Sequence, residues 1–437
     1  MQLAPFTSIN SRMTDLGAEA TYNRQLEGRI APRGFLLSTA SIRFSSSERP
    51  ATAPHAMNVS LLATERPTDS FAGVLTQNRF CGAPVQLARE RLGGEKLQAL
   101  LVNNKVANVG APGGLEAAKA VAATVASAMG IDEARVLSVS TGIIGWRLPV
   151  LEISTVVPDL VAGLGTAGPG DVARAMMTTD SYPKARSVQV GDGAILGIVK
   201  GAGMIEPNMG TMLAFFLTDL TVEREVFARS LRRAVDTSFN AISVDGDQST
   251  SDMAVGLSSG AAGGIAESEF EEALTGLAEQ LAEDIVRNGE GVSHVLRVAV
   301  SGAPTTEVAR AAGKAVVNSP LVKTAVYGND PNVGRIVAAL GDWASTAGVD
   351  LEIDRLTVVI GGVTVFADGR FRLGGEVEER LVDYFRTNAM DPTVRGYPQH
   401  DRCLDLSIDL AMGAASFRVL GADLSYEYVR ENADYRT

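Results

Sequence analysis

Segments with strand character and segments with helix character follow one another along this chain in mixed order, and that order limits the fold more than any other feature. Strict alternation would build a doubly wound parallel sheet; irregular runs build mixed layers of sheet and helix. Residues 57–63 and 73–76 read as strands across a turn-rich gap. A helix over 83–92 and a strand over 97–102 follow. The segment 114–129 has strong helical periodicity and stops at Gly130. A strand over 135–140 leads to a helical stretch, 150–164, whose middle Pro158 is expected to break.

Further on come a helix over 171–177, a strand pair (188–190 and 195–200) across the turn GDGA, and an apolar strand over 211–216. Asp219 and Thr221 are expected to cap a helix over 222–235. The rest reads as a helix over 268–287, a strand over 296–301 and helical patches over 306–318, 321–326 and 333–340. A hairpin over 356–366, a short strand over 370–373 and a helix over 376–386 come next. A strand pair (403–410 with 415–420) and a last helix near 426–432 end the chain. The expected fold class is an α/β (α+β) layered fold, with central sheets flanked by helices.

At 437 residues the chain is too long for one small core, so two or three lobes are expected. Its 46% hydrophobic and 21% charged residues exclude a disordered chain. A net charge of −12 disfavours a phosphate backbone as partner, so no nucleic acid is expected. No apolar run reaches the roughly 18 residues of a membrane span, and the first 29 residues lack the apolar core of a signal peptide. We expect no membrane association, a cytoplasmic protein, and an N-terminal extension over 1–33. Cys81 and Cys403 lie far apart and read as two buried, reduced thiols.

The absences are as informative as the motifs. His55, His294 and His400 are the only histidines, and G-x-S-x-G, HExxH and GxxxxGK[ST] do not occur. A histidine-based triad or a catalytic zinc is therefore not expected, and no metal or organic cofactor is implied. Gly201-Ala202-Gly203 lacks the third glycine of a dinucleotide turn. Asp245, Asp247 and Ser249 imitate the start of a calcium loop, but Thr250 and Gly256 occupy its diagnostic positions, so a turn-stabilising cluster is expected.

The stretch KGAGMIEPNMGTMLAFFLTD, from Lys200 to Asp219, carries chemistry that needs no histidine. A Gly-rich turn delivers Thr211 to the mouth of an apolar strand. Gly210 before it has no Cβ, so a hydroxyl can approach its carbonyl and the backbone can bend. Attack by Thr211 would give an ester; its hydrolysis would free a chain starting at Thr211. That α-amine, with a pKa near ~8, can serve as base for its own hydroxyl. Taken alone, the pair is also what an ordinary strand start looks like.

The same stretch resembles KGxGMIxPNMATML, the signature of the ornithine acetyltransferase family, the bifunctional glutamate N-acetyltransferases of the arginine pathway. Matching blocks follow in order over 34–437: STGIIG (140–145), MTTDSYPK (177–184), SFNAISVDGDQSTSD (238–252), NGEG (288–291), GKAVVNSPLVKTAVYGNDPNVGR (313–335) and the tail DLSYEYVRENADYRT (423–437). The resemblance implies a self-processing acyltransferase of the N-terminal-nucleophile type. Its fragments would be 34–210, carrying the oxyanion hole, and 211–437, beginning with the nucleophile.

By position, Thr211 matches the nucleophile, and Gly210-Thr211 the autocleavage bond. Thr141 and Gly142 match the oxyanion-hole pair. Thr178, Lys200, Thr211, Glu290, Asn432 and Thr437 match substrate contacts. Each of the charged or amide groups also has a plain alternative: Lys200 as a solvated edge-strand lysine, Glu290 as a helix-end surface charge, Asn432 as a cap.

The implied reaction is ping-pong transfer of acetyl from N2-acetylornithine to glutamate. The implied assembly is a heterotetramer of two copies of each fragment. Gly210 stands where the family usually has Ala, Val333 where it has Trp, and LVNNKVANVGAPGG (101–114) where it has NSGNANACTG. These departures leave open another acyl donor or acceptor, as in a paralogous acyltransferase or amide hydrolase. An inactive metabolite-binding relative is the remaining alternative.

Overall fold

A computed structural model describes residues 26, 30–50, 53–206, 212–390 and 402–434. The chain runs β1 (Phe35–Phe44), β2 (His55–Thr68), β3 (Phe71–Leu75), α1 (Ala83–Leu92), β4 (Leu97–Asn103), α2 (Gly114–Met129), β5 (Val136–Ser140), α3 (Val150–Ala162) and α4 (Pro169–Met176). Next are β6 (Lys184–Val190), β7 (Gly193–Lys200), β8 (Leu213–Thr218), α5 (Arg224–Thr237), β9 (Ile242–Ser243), β10 (Met253–Ser258) and α6 (Glu267–Arg287). The final part holds β11 (Val295–Ala303), α7 (Thr306–Asn318), α8 (Pro320–Tyr327), α9 (Val333–Ala347), β12 (Thr357–Ile360), β13 (Val363–Ala367), β14 (Arg370–Phe371), α10 (Gly375–Thr387), β15 (Leu404–Asp409), β16 (Ala415–Ala422) and α11 (Tyr426–Asp434). This is the mixed, layered α/β order expected.

The described residues form two compact units. One takes those through 240 together with 248–285; the other takes 241–247 together with those from 286 onward. This division follows packing and is a different property from the cleavage boundary expected at 210/211.

The larger unit holds two sheets. The first has the order β1-β2-β4-β5, antiparallel except for β4 and β5. Helices α2 and α3 cover it, joining Val121, Val125, Ile153 and Val157 to Val59, Leu61 and Leu101 in one core. The second sheet has the order β3-β10-β8-β7-β6, with β10 and β8 parallel. Strand β8 is buried along its whole length.

Pro158 does not break α3, which runs unbroken through it. A proline inside a helix costs about 3 kcal/mol. Burying Ile153, Val157 and Leu160 returns about 1.5–3 kcal/mol each, so packing wins. Asp219 does not cap α5 either; the helix starts at Arg224 after Glu223, with no side-chain cap. Instead Asp219 accepts from the backbone N–H of Ala194 at 2.7 Å and from Arg33 Nε at 2.8 Å.

The smaller unit is built on one sheet, β14-β13-β12-β15-β11-β16-β9. The two strands expected to pair with each other at the end of the chain, β15 and β16, instead flank β11. One runs parallel to it and the other antiparallel. The strand β11 lies between them and pairs with both. Of the two cysteines, both free, Cys403 is buried and Cys81 only half-buried.

None of the described helices is long and apolar enough to cross a membrane. Among the described residues, no group of three or more His, Cys, Asp or Glu side chains could hold a metal ion.

Candidate active site

In the first sheet β4 and β5 run parallel, and their carboxyl ends stay paired beyond the strands. Thr141 N–H donates to Asn103 O at 3.0 Å, Ile143 N–H to Lys105 O at 2.9 Å, and Ala107 N–H to Ile143 O at 2.9 Å. Between them Gly142 has φ +125°, and a Cβ there would lie 2.2 Å from the carbonyl carbon of Lys105. Only glycine fits that approach. Among the described residues the Gly142 N–H and the Thr141 hydroxyl have no acceptor. Two donors left unspent at a strand end are what a developing oxyanion requires.

The loop beneath is held by two asparagines that sequence reasoning did not single out. Asn103 donates to Val106 O at 2.9 Å and accepts from the Ser140 hydroxyl at 2.7 Å. Asn104 donates to Met177 O at 2.9 Å and accepts from Asn58 N–H at 2.7 Å. The second pair ties the 103–106 loop to the segment carrying Thr178.

Thr178 in turn meets Asp180, which is buried. One carboxylate oxygen accepts from the Thr178 N–H at 3.1 Å. The other accepts from Lys184 Nζ at 2.6 Å and from Gly201 N–H at 2.9 Å. Burial works against the charge on Asp180, but the ammonium groups of Lys184 and Lys200, with these hydrogen bonds, outweigh it and hold the carboxyl down to about 2. Burial likewise pulls Lys184 below the ordinary lysine range, with Asp180 opposing. The motif MTTDSYPK supplied both residues of this pair, yet nothing in the sequence said that they meet.

Lys200 ends β7, a strand hydrogen-bonded on both sides, and is 7% exposed. It is not a solvated edge-strand lysine. Its register partner is Leu213, so the chain returns beside Lys200 at the start of β8. Among the described residues its ammonium has no hydrogen bond or ion pair. Gly210 and Thr211, the expected cleavage bond and nucleophile, lie outside the described residues, as does Thr437.

In the smaller unit Glu290 is 9% exposed and accepts from Asn432 Nδ2 at 2.8 Å. It is thus not a surface charge, and Asn432 uses its amide on Glu290 as well as on its own helix. Helix α11 reaches the 288–291 turn through a close approach. Gly291 has φ +63°, and a Cβ there would lie 2.3 Å from Tyr428 N. The Ser425 hydroxyl donates to Gly291 O at 2.6 Å.

One turn before Asn432, the Tyr428 hydroxyl donates to Asp245 at 3.3 Å. Burial, then the Asp245 and Glu290 charges, push that phenol above the ordinary tyrosine range. Asp245 therefore acts in a structural contact, as expected of the acidic turn. Asp423 holds the same turn from its other end, accepting from the hydroxyl of Ser293 and facing His294 Nδ1 at 3.0 Å. Both Ser293 and Asp423 meet the same ring nitrogen, so this trio is a pin and not a triad. Lys323, in the long 313–335 block, is also structural: its buried ammonium donates to Val244 O at 2.7 Å and to Ala422 O.

The structure thus joins Thr141, Gly142, Thr178 and Lys200 through hydrogen bonds in the larger unit, and Glu290 with Asn432 in the smaller. Two donors without an acceptor and a buried ammonium without a partner, among the described residues, suit acyl chemistry on a molecule that bears a carboxylate. The chain belongs to the ArgJ family, whose model matches residues 49–437. It is 40% identical to an arginine biosynthesis bifunctional protein ArgJ of Geobacter sulfurreducens, over 92% of this chain and 100% of that protein. It is 38% identical to a glutamate N-acetyltransferase Oat2 of Streptomyces clavuligerus, over 93% and 98% respectively. The crystal structure of an arginine biosynthesis bifunctional protein ArgJ from Bacillus halodurans is 32% identical; it covers 52% of this chain and 100% of that one, with a TM-score of 0.45.

Proposed function

We propose that this chain is an acyltransferase of arginine biosynthesis that cuts itself between Gly210 and Thr211 and then carries acetyl on Thr211 from N2-acetylornithine to glutamate. Membership of the ArgJ family supports the reaction class. The observation that supports the mechanism is the pair of donors at Thr141 and Gly142 that have no acceptor among the described residues.

The steps balance without a cofactor. The Thr211 hydroxyl attacks the Gly210 carbonyl, the C–N bond breaks to free the α-amine of Thr211 as the ester forms, and water then hydrolyses that ester to the Gly210 carboxylate and the Thr211 hydroxyl. That amine, near ~8, then takes the hydroxyl proton as Thr211 attacks the acetamide carbonyl. The negative oxygen is received by the Thr141 hydroxyl and the Gly142 N–H, each donor worth about 3 kcal/mol. Ornithine leaves with the proton; the amine of glutamate then attacks the acetyl ester, the bond from acetyl to the Thr211 oxygen breaks, and N-acetylglutamate leaves as the glutamate amine's proton returns to that oxygen. One set of carboxylate and ammonium contacts can serve both amino acids, which favours two half-reactions over a ternary complex. Lys200 supplies the cation for the carboxylate and Thr178 a further contact. The resemblance also makes Glu290, Asn432 and Thr437 substrate contacts. The fragments 34–210 and 211–437 assembled as a cytoplasmic heterotetramer complete this proposal.

The test is the denatured intact mass of the purified protein beside Thr211→Ala. Two fragments breaking at Gly210/Thr211 in the wild type, and one uncut chain in the variant, are expected. A single uncut wild-type chain removes the mechanism.

A further inference from the structure

Gly201, next in the chain to Lys200, donates its N–H to Asp180 at 2.9 Å, and the charge of Lys200 lowers the Asp180 carboxyl. Opposite charges in one buried site would ordinarily pair, yet among the described residues the Lys200 ammonium is in no ion pair. The reason lies in the carboxylate. One oxygen of Asp180 is taken by Lys184 at 2.6 Å and by Gly201 N–H at 2.9 Å, and the other by Thr178 N–H at 3.1 Å. Lys184 is itself 0% exposed, opens β6 opposite Val199, and faces the ring of Tyr182 at 5.1 Å. The next carboxylate in range, Asp284, is clamped by Arg186 at 2.6 and 2.7 Å. Asp180 and Asp284, the acids whose charges favour the Lys184 ammonium, therefore both already have a partner.

From this geometry we propose that Lys184 is a positioning residue, a resident counter-ion that occupies Asp180 so that Lys200 stays free to receive the carboxylate of the substrate. The inference rests on Lys200 being the substrate's carboxylate partner, as proposed above. Without Lys184, Asp180 has one cation left to bind, and that cation is Lys200. A substrate carboxylate would then have to displace an internal one. Without both, Lys200 is free again.

The test is a rescue series on the matured enzyme: wild type, Lys184→Met, and Lys184→Met with Asp180→Asn. Each preparation is checked by intact mass and assayed with N-acetylornithine and with its carboxamide. Lys184→Met is expected to raise the KM for the carboxylate substrate about tenfold, to leave kcat within about twofold, and to leave the carboxamide unaffected. The double variant is expected to return the KM to within about threefold of wild type.

A KM unchanged in Lys184→Met overturns the proposal. So does a rise that the second substitution fails to reverse, because that is the mark of a merely structural pair. If Lys184→Met does not fold or mature, the double variant decides alone: a near-wild-type KM supports the inference and a tenfold rise overturns it. An uncut wild-type chain would instead be a failure of the self-cleavage mechanism, and the mass measurement keeps the two failures apart.

Discussion

Among the described residues the Thr141 hydroxyl and the Gly142 N–H in the larger unit have no acceptor, whereas Glu290 and Asn432 in the smaller unit bond to each other. The contrast follows from what each group has to do. A donor that meets charge only in the transition state must be held in place with no competing acceptor, and the backbone can do this because its own pairing fixes it on both sides. A group that recognises a ground-state substrate can hold an internal partner and exchange it on binding, at the cost of one hydrogen bond. The oxyanion donors of the larger unit are therefore expected to govern rate, and the Glu290–Asn432 pair of the smaller unit affinity.

The largest effect should come from Gly142→Ala. The new methyl would stand 2.2 Å from a backbone carbon that cannot move aside, in a backbone region closed to alanine. Acetyl transfer per folded chain should fall at least about 100-fold in kcat, the usual consequence of losing an oxyanion donor. A variant that folds and keeps kcat within about tenfold would break the comparison on its stronger side.

Glu290→Gln keeps an acceptor for Asn432 but removes the charge. The KM for N-acetylornithine should rise about tenfold, the worth of a charged hydrogen bond, with kcat within about twofold. Steady-state kinetics on both substrates read this directly, and a kcat loss as large as that of Gly142→Ala would erase the division of labour.

The smallest effect concerns acid. The Asp180 carboxyl is lowered from 3.8 to about 2, so the stability it contributes is fully present above the higher value and is lost as pH falls through the lower one. The melting temperature of the wild type should therefore drop more steeply between about pH 4 and pH 2 than that of Asp180→Asn, as calorimetry can show. Equal slopes would mean that Asp180 is not the charged hub of the larger unit.

Much of the fold is legible locally. Helix α2 ends at Gly130 in a left-handed turn, as its sequence implies, and α1 and α7 begin and end where their periodicity does. Where local reading fails, a tertiary term outweighs it: packing carries α3 through Pro158, and a distant strand end takes the carboxylate of Asp219 away from α5. At the site, the motif STGIIG showed which glycine matters. It did not show that Asn103 and Asn104 hold the loop beneath, because an asparagine followed by another carries no period and no spacing. Asp180 and Lys184 lie four residues apart in a segment to which sequence reading assigned no element, so their pairing had no sequence signature either.

By itself the sequence determined the family, the self-cleavage chemistry to be tested and the residues that could perform it, because those depend on which atoms are present and in what order. Only the tertiary structure decided which of those atoms are free. Whether Lys200 is available or already neutralised, whether Glu290 is a surface charge or a buried acceptor, and whether Gly142 must be glycine depend on groups brought together from distant parts of the chain. Hydrogen bonds and charges act over a few ångströms of space, and in a folded chain that distance bears little relation to separation along the sequence.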